Sequence, residues 1–238
     1  EQAKMIEHIQ GHNVVSLNGP NVDLSLSIKG RKFNNSCGRH NMPDGEIFTG
    51  PVEDSVNGWV KFTYPAIYGG VAVEGAELTF TNGRVNQAKA EKNQDYLIKM
   101  LESDEGSRHI GEFAIGVNPA LTRFSKDILL DEKIGGTVHI ALGRAYPGVG
   151  GVNQSAIHWD IVKDLRQQGQ IFLDGRLIFE NGALLIEPGA ADSASLMATT
   201  SPDTGALTGP THLPDSTVAA DLFCSTLRPT FFGVHDTT

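Results

Sequence analysis

TVHIALGRAYPGVGGVNQSAIHWD, residues 137–160, holds two strand patterns on either side of a glycine-rich connection. In the first, Val138, Ile140 and Leu142 point to one side and Thr137, His139 and Ala141 to the other. In the second, Ile157, Trp159 and Ile161 form an apolar row, and His158 and Asp160 share the opposite face with Ala156 and Val162. A His-x-Asp pair on one strand face sets two metal-ligand types about 6.5–7 Å apart at Cα, a spacing that suits one or two metal ions. The connection Gly143–Gly151 carries Tyr146 near its start. A single strand histidine such as His139 also occurs as hydrogen-bonded core structure, so His158 with Asp160 is the stronger signal. Two apolar strands that each turn a histidine to the same kind of face read as walls of a metal site.

Outward from this stretch the chain is punctuated as a β protein. Val22, Leu24, Leu26 and Ile28 alternate with polar residues, a half-buried strand. Pro43-Asp44-Gly45 is a turn whose Pro sets φ and whose Gly is permissive, so Glu46 leaves a tight turn into a short apolar strand. A carboxylate held there suits a ligand, although most glutamates at strand starts are simply solvated. Glu112 follows Gly111 and leads into Phe113–Ile115 as Glu46 leads into Ile47–Phe48; a glycine there permits close backbone approach. Asn57-Gly58 and Asn82-Gly83 predict hairpins, and Asp174-Gly175 joins a further pair of strands. Helical spacing is confined to residues 1–10 and to Glu91–Glu102, with Tyr96, Leu97, Met100 and Leu101 on its apolar side; Asp127–Lys133 is a polar turn or short helix. The expected fold is therefore α+β and β-rich over residues 13–182, with Glu91–Glu102 the longest helix.

Composition narrows the function classes. A net charge of −9 argues against nucleic acid, which demands clustered Lys and Arg. Cys37 and Cys224 are too few for a disulfide framework and too distant in sequence for a metal clip, which favours a reducing compartment. No run approaches the ~18 apolar residues of a membrane span, and the N-terminus lacks an apolar signal core. A cytoplasmic protein without membrane partners is expected. Residues 183–238 hold 5 of the 11 prolines, 15 Ser or Thr, and 6 acidic residues against the single Arg228, with no sustained period; they read as a disordered tail.

Glu46, Glu112, His139, His158 and Asp160 together offer the N/O inventory that two divalent ions about 3.5–4 Å apart require. The runs GRKFNNSCGRHNMPDGEIFTGP, DEGSRHIGEFAIG and TVHIALGRAY, followed by SAIHWD, resemble the aminopeptidase T / aminopeptidase S family, also called thermophilic metalloproteases. The resemblance runs from about Val22 to Gly182 and corresponds to that family's C-terminal half. It implies a metallopeptidase catalytic-type domain over 1–182, with the family's N-terminal α/β domain absent, and a tail over 183–238. It further implies that Glu46, Glu112, His139, His158 and Asp160 bind two divalent ions, zinc or cobalt, or magnesium or manganese in their place. Tyr146 falls on the family's catalytic tyrosine, while the segment from Tyr146 to His158 is short for the family.

The implied chemistry is release of N-terminal residues from a peptide with a free N-terminus, by a homodimeric enzyme. Tyr146 would donate to the oxyanion, and Glu112 would bridge the metals or share the duty of base. A rival reading comes from 2,5-dihydroxypyridine dioxygenases, which look like relatives and use one Fe(II). There His139, His158 and Asp160 would suffice, and the two glutamates would stand behind them. A third is a non-catalytic fragment.

Overall fold

The computed structural model describes residues 2–185. In chain order the elements are α1 (Gln2–Ile9), β1 (Val14–Gly19), β2 (Val22–Ser27), β3 (Asn34–Ser36), β4 (Glu46–Thr49), β5 (Asn57–Lys61), β6 (Ala66–Tyr68), β7 (Val71–Val73), β8 (Glu77–Thr81) and β9 (Arg84–Lys89). Then come α2 (Gln94–Leu101), β10 (Ile110–Gly116), α3 (Ile128–Asp131), β11 (Thr137–Gly143), β12 (His158–Asp164), β13 (Gln170–Leu173), β14 (Arg176–Glu180) and β15 (Ala183–Leu184). This is the β-rich α+β architecture expected from the hairpin signals, and every named strand pairing is antiparallel.

One sheet runs β15-β14-β13-β1-β2-β5-β8-β9 and a second runs β12-β11-β10-β4-β3; β6 and β7 form a small ribbon. Both sheets contribute to one continuous hydrophobic core: Leu24, Leu26 and Leu78 from the first, Phe113, Ile140, Leu142 and Trp159 from the second. Val138, Ile140 and Leu142 are fully buried, each contributing about 1.5–3 kcal/mol relative to exposure. Lys163 lies on this inner face too, and its Nζ donates to the carbonyls of Pro20 and Lys61 at 2.7 and 3.2 Å. The apolar rows of β10, β11 and β12 are thus used up on one side, which leaves their other face for chemistry.

Local signals were altered where pairing competed. Glu91 and Lys92 were expected inside the helix; instead their amides bond to the carbonyl of Glu74, so α2 begins only after Asn93. At 8 residues α2 equals α1 in length instead of exceeding it. Asn82-Gly83 does turn the chain between β8 and β9, but Asn57-Gly58 does not make a hairpin. Asn57 and Gly58 pair with Ser25 and Leu24, because the β2 ladder claims both residues. The segment expected to be a tail starts with an ordered strand, since β15 pairs with β14. From residue 186 onward that expectation lies outside the described residues.

Candidate metal centre

The strand register lays the site out in rows. Across the outer face of the second sheet, Ser36, Glu46, Gly116 and Thr137 stand in line. Next come Asn34, Phe48, Ala114, His139 and Val162, then Glu112, Ala141 and Asp160, and last Gly143 with His158. Paired residues in an antiparallel sheet share a face, so the five side chains singled out in the sequence all rise from one surface. The structure brings Glu46, Glu112, His139, His158 and Asp160 together.

Glu112 reaches that face through a β-bulge. Ile110 stands opposite Leu142 on the core side, and unbroken pairing would place Glu112 on the core side as well. The register slips by one residue at Gly111, and Glu112 comes to stand opposite Ala141 instead. Gly111 fits because a Cβ on it would lie 2.2 Å from the Arg144 carbonyl oxygen and 2.3 Å from that of Gly143. Glu46 is fixed from the other end. The turn before it is held by Gly38 N donating to Asp44 Oδ2 at 2.8 Å, and by Asn118 Nδ2 donating to the Asp44 carbonyl at 2.6 Å.

Both histidines are oriented by backbone. His139 Nδ1 lies 3.0 Å from the carbonyl of Glu132, and His158 Nδ1 lies 2.7 Å from that of Arg144. A carbonyl can only accept, so each Nδ1 carries the proton and each Nε2 faces the cluster, the tautomer a metal-binding imidazole needs. His139 Nε2 is 3.1 Å from Glu112 Oε1 and 3.2 Å from Glu46 Oε2. His158 Nε2 is 3.5 Å from Asp160 Oδ1 and 3.8 Å from Glu112 Oε2.

Two residues that the sequence reading passed over complete the cluster. Glu132 and Lys133 follow α3 directly and are both buried, and they form an ion pair; Lys133 Nζ also lies 3.7 Å from Glu46 Oε1. They reach the site because Gly116 has no side chain: a Cβ there would meet the Ile134 carbonyl at 2.3 Å and that of Glu132 at 3.0 Å. The sequence marks Asp127–Lys133 only as a polar turn or short helix, and nothing in that pattern pointed Glu132 or Lys133 to the site.

Ligand atoms of three groups lie within 4.8 Å of one another: Glu46, Glu112 and His139; Glu112, His158 and Asp160; Glu132, His139 and Asp160. The chemistry of the donors fits divalent cations. Glu46 Oε2 and Asp160 Oδ1 are buried and make no well-formed hydrogen bond, only the ion-pair contacts to His139 and His158, an arrangement that a bound cation would complete. The electrostatics agree. Burial raises the pKa of Glu46, Glu112 and Glu132, with further pressure from neighbouring carboxylates. Burial opposes a charge on His139, yet the bond to Glu112 and the charges of Glu46, Glu112 and Asp160 push it up to about 10. His158 rises to about 9 in the same way, chiefly through Asp160. Asp160 itself is lowered despite burial, because His158 bonds to it. Without metal, protons take the place of cations.

The cluster forms the floor of a cavity of about 460 Å³, lined also by Tyr146, Phe48, Asn34, Ser36, Asn41, His40, Ile128 and Leu129. Tyr146 is half exposed at the cavity wall, its ring 5.1 Å from that of His158 and 5.6 Å from that of Phe48. Burial first, and then Glu112 and Asp160, raise its pKa, so the phenol stays protonated. No helix among the described residues is long and apolar enough to cross a membrane.

Known proteins share this frame. Aminopeptidase AmpS of Bacillus subtilis is 37% identical over 165 residues, covering 60% of this chain and 40% of that protein. The solved wild-type AmpT from Thermus thermophilus matches with a TM-score of 0.69 at 25% identity, over 77% of this chain and 53% of that one. 2,5-Dihydroxypyridine dioxygenase from Pseudomonas putida KT2440 shares the fold, with a TM-score of 0.64 at 16% identity, over 79% and 59% of the two chains. The chain spans less than half the length of the curated relatives it matches. Residues 1–184 match the thermophilic metalloprotease (M29) family, a stretch that starts ahead of the Val22 boundary drawn from the motifs, and the chain belongs to that family.

Proposed function

We propose that this chain carries the metal centre of a metal-dependent aminopeptidase, with two divalent ions, zinc or cobalt, held side by side. The observation that carries the reading is the composition of two overlapping triads. Glu46, Glu112 and His139 form one, and Glu112, His158 and Asp160 the other, each with one imidazole and two carboxylates and with Glu112 common to both. Charge favours the same count. Four carboxylates face only the Lys133 ammonium when the histidines are neutral, an excess of three negative charges. A single divalent ion leaves one uncompensated, whereas two leave a surplus of one positive charge, suited to an oxyanion.

Bound there, two such ions would supply an activated water and a polarised carbonyl. The side chains do the rest. Tyr146 keeps its proton and donates it in a hydrogen bond to the oxygen that gains charge, a contribution of about 2.7–4 kcal/mol for such donors. Glu112, common to both triads, would serve as a ligand to both ions. The substrate's α-amine, in its neutral form, would be held at the metal cluster, which makes the free N-terminus the point of registration.

Elemental analysis of the purified, metal-titrated chain tests the count, and hydrolysis of amino-acyl anilides tests the activity. The expectation is two ions per chain. One redox-active iron with ring-cleaving activity toward dihydroxypyridine would refute the proposal.

A further inference from the structure

We propose that Asp104 is a positioning residue for the metal centre: through Ser155 and Ala156 it sets the Arg144 carbonyl that aims His158. This rests on the metal-centre reading above and adds a residue outside the cluster. The two histidines are held unequally. His139 stands in mid-sheet, paired with Ala114 on one side and Val162 on the other, and is fully buried. His158 opens β12, the last strand of its sheet, and pairs only with Gly143 at the very end of the ladder. Its side chain is 23% exposed, and a glycine beside it confines nothing. The direction of the ring therefore depends on the 2.7 Å bond that Nδ1 donates to the Arg144 carbonyl, and on the Tyr146 ring 5.1 Å away.

Both of those supports belong to the loop between β11 and β12, which lies outside the sheet. The turn Asp104–Arg108 frames that loop. Asp104 Oδ2 accepts from the Ala156 amide at 2.7 Å and from Ser155 Oγ at 3.0 Å, and Oδ1 accepts from Ser107 Oγ at 3.0 Å. Ser155 passes the constraint on. Its carbonyl accepts from Arg144 Nε at 3.1 Å, while the Arg144 amide donates to the Ile157 carbonyl at 2.7 Å. Asn153 ties the other side of the loop: Nδ2 donates to the Gly106 carbonyl at 2.9 Å, and its own carbonyl accepts the Ala145 amide at 2.9 Å. Gly106 leaves room for this, since a Cβ there would lie 2.2 Å from Asn153 Oδ1.

Stepwise zinc affinity, measured by chelator competition, tests the role without any assay of turnover. Asp104→Ala should weaken one of two ions by about 10–100-fold and leave the other unchanged. Asp104→Asn, whose carboxamide still accepts from the Ala156 amide, should restore most of that loss. Ser155→Ala should weaken the same ion, and the double variant should lose no more than Asp104→Ala alone, because both cut one chain of contacts. With one equivalent of zinc bound to Asp104→Ala, imidazole nitrogen NMR shifts should move for His139 Nε2 and not for His158. Glu105→Ala, at the exposed neighbouring position, is the control and should change neither ion. A merely structural Asp104 would lower the melting temperature with both affinities unchanged or both lowered alike. Either result would overturn the proposal, as would a loss that Asp104→Asn does not restore. Should Asp104→Ala fail to fold, Ser155→Ala decides: a loss confined to the His158 ion supports the role, and no loss overturns it. A single ion in the wild type, weakened by Asp104→Ala and restored by Asp104→Asn, would support the role and count against the two-ion reading. No zinc binding by the wild type would overturn both.

Discussion

Gly111→Ala is a one-carbon perturbation that should disable the metal centre from behind. The added Cβ would lie 2.2 Å from the Arg144 carbonyl oxygen, where ordinary contact begins at 3.4 Å, a shortfall of roughly 1.2 Å. Both nearest atoms belong to backbone, so no side chain can swing away. Overpacking of this kind costs about 1–3 kcal/mol. At about 2–4 °C per kcal/mol for a chain of this size, the melting temperature should fall by about 2–12 °C. The larger effect should be on metal. Relief of the clash must open the bulge that turns Glu112 onto the site face, and Glu112 belongs to two of the three ligand groups. Displacing a ligand's support typically weakens metal affinity by about 10–100-fold. Thermal unfolding across a zinc titration reads both terms, because a ligand stabilises by RT ln(1 + [L]/Kd), and a tenfold weaker site loses about 1.4 kcal/mol of that gain. Gly148→Ala is the control, since a Cβ there meets nothing within 4 Å. A Gly111→Ala protein that melts with the Gly148→Ala control and takes up zinc equally well would refute the bulge argument.

His139→Ala should lower metal content to at most one ion by elemental analysis, since His139 belongs to two of the three groups. Tyr146→Phe should leave metal content unchanged and slow turnover of a leucyl anilide by about 10²–10³-fold. Stability of the metal-free protein should fall as pH rises. Folding raises His139 to about 10 and His158 to about 9. Their contribution is therefore complete below the unfolded value of ~6.5 and disappears as pH climbs through 9 to 10. Melting scans from pH 6 to 10 should show this decline without zinc and its suppression with zinc, and a flat metal-free profile would contradict the assigned interactions.

The candidate ligands were legible in the sequence for a specific reason. Glu46, His139, His158 and Asp160 sit where a strand's two-residue period, or the Pro43-Asp44-Gly45 turn, fixes their direction, and Glu112 alternates with Phe113 and Ile115 past the bulge at Gly111. The same period told which side of β11 and β12 was core, and the structure buries Val138, Ile140, Leu142, Trp159 and Ile161 on that side. What stayed hidden depends on contacts remote in sequence. Gly111 could be seen to allow a close approach, but not that its partner was the carbonyl of Arg144. Glu132 and Lys133 enter the cluster only because the chain after α3 presses against Gly116. Asn57-Gly58 has the local chemistry of a hairpin turn, yet its pairing with β2 decided otherwise.

The residues between the candidate ligands argue for function as strongly as the candidates themselves do. Gly116 separates Glu46 from Thr137, and Ala114 separates Phe48 from His139. Ala141 separates Glu112 from Asp160, and Gly143 faces His158. On the core side of the same strands the corresponding places hold Phe113, Ile115, Ile140 and Leu142. A sheet face selected for stability alone would carry β-branched or aromatic residues at such central positions, because they pack best on a pleated surface. Here small residues give up that packing, and the vacated space lets three carboxylates and two imidazoles lean toward a common centre. The local rules of strand composition are broken on one face and kept on the other. Such a one-sided departure is what a functional site imposes on an otherwise consistent sequence.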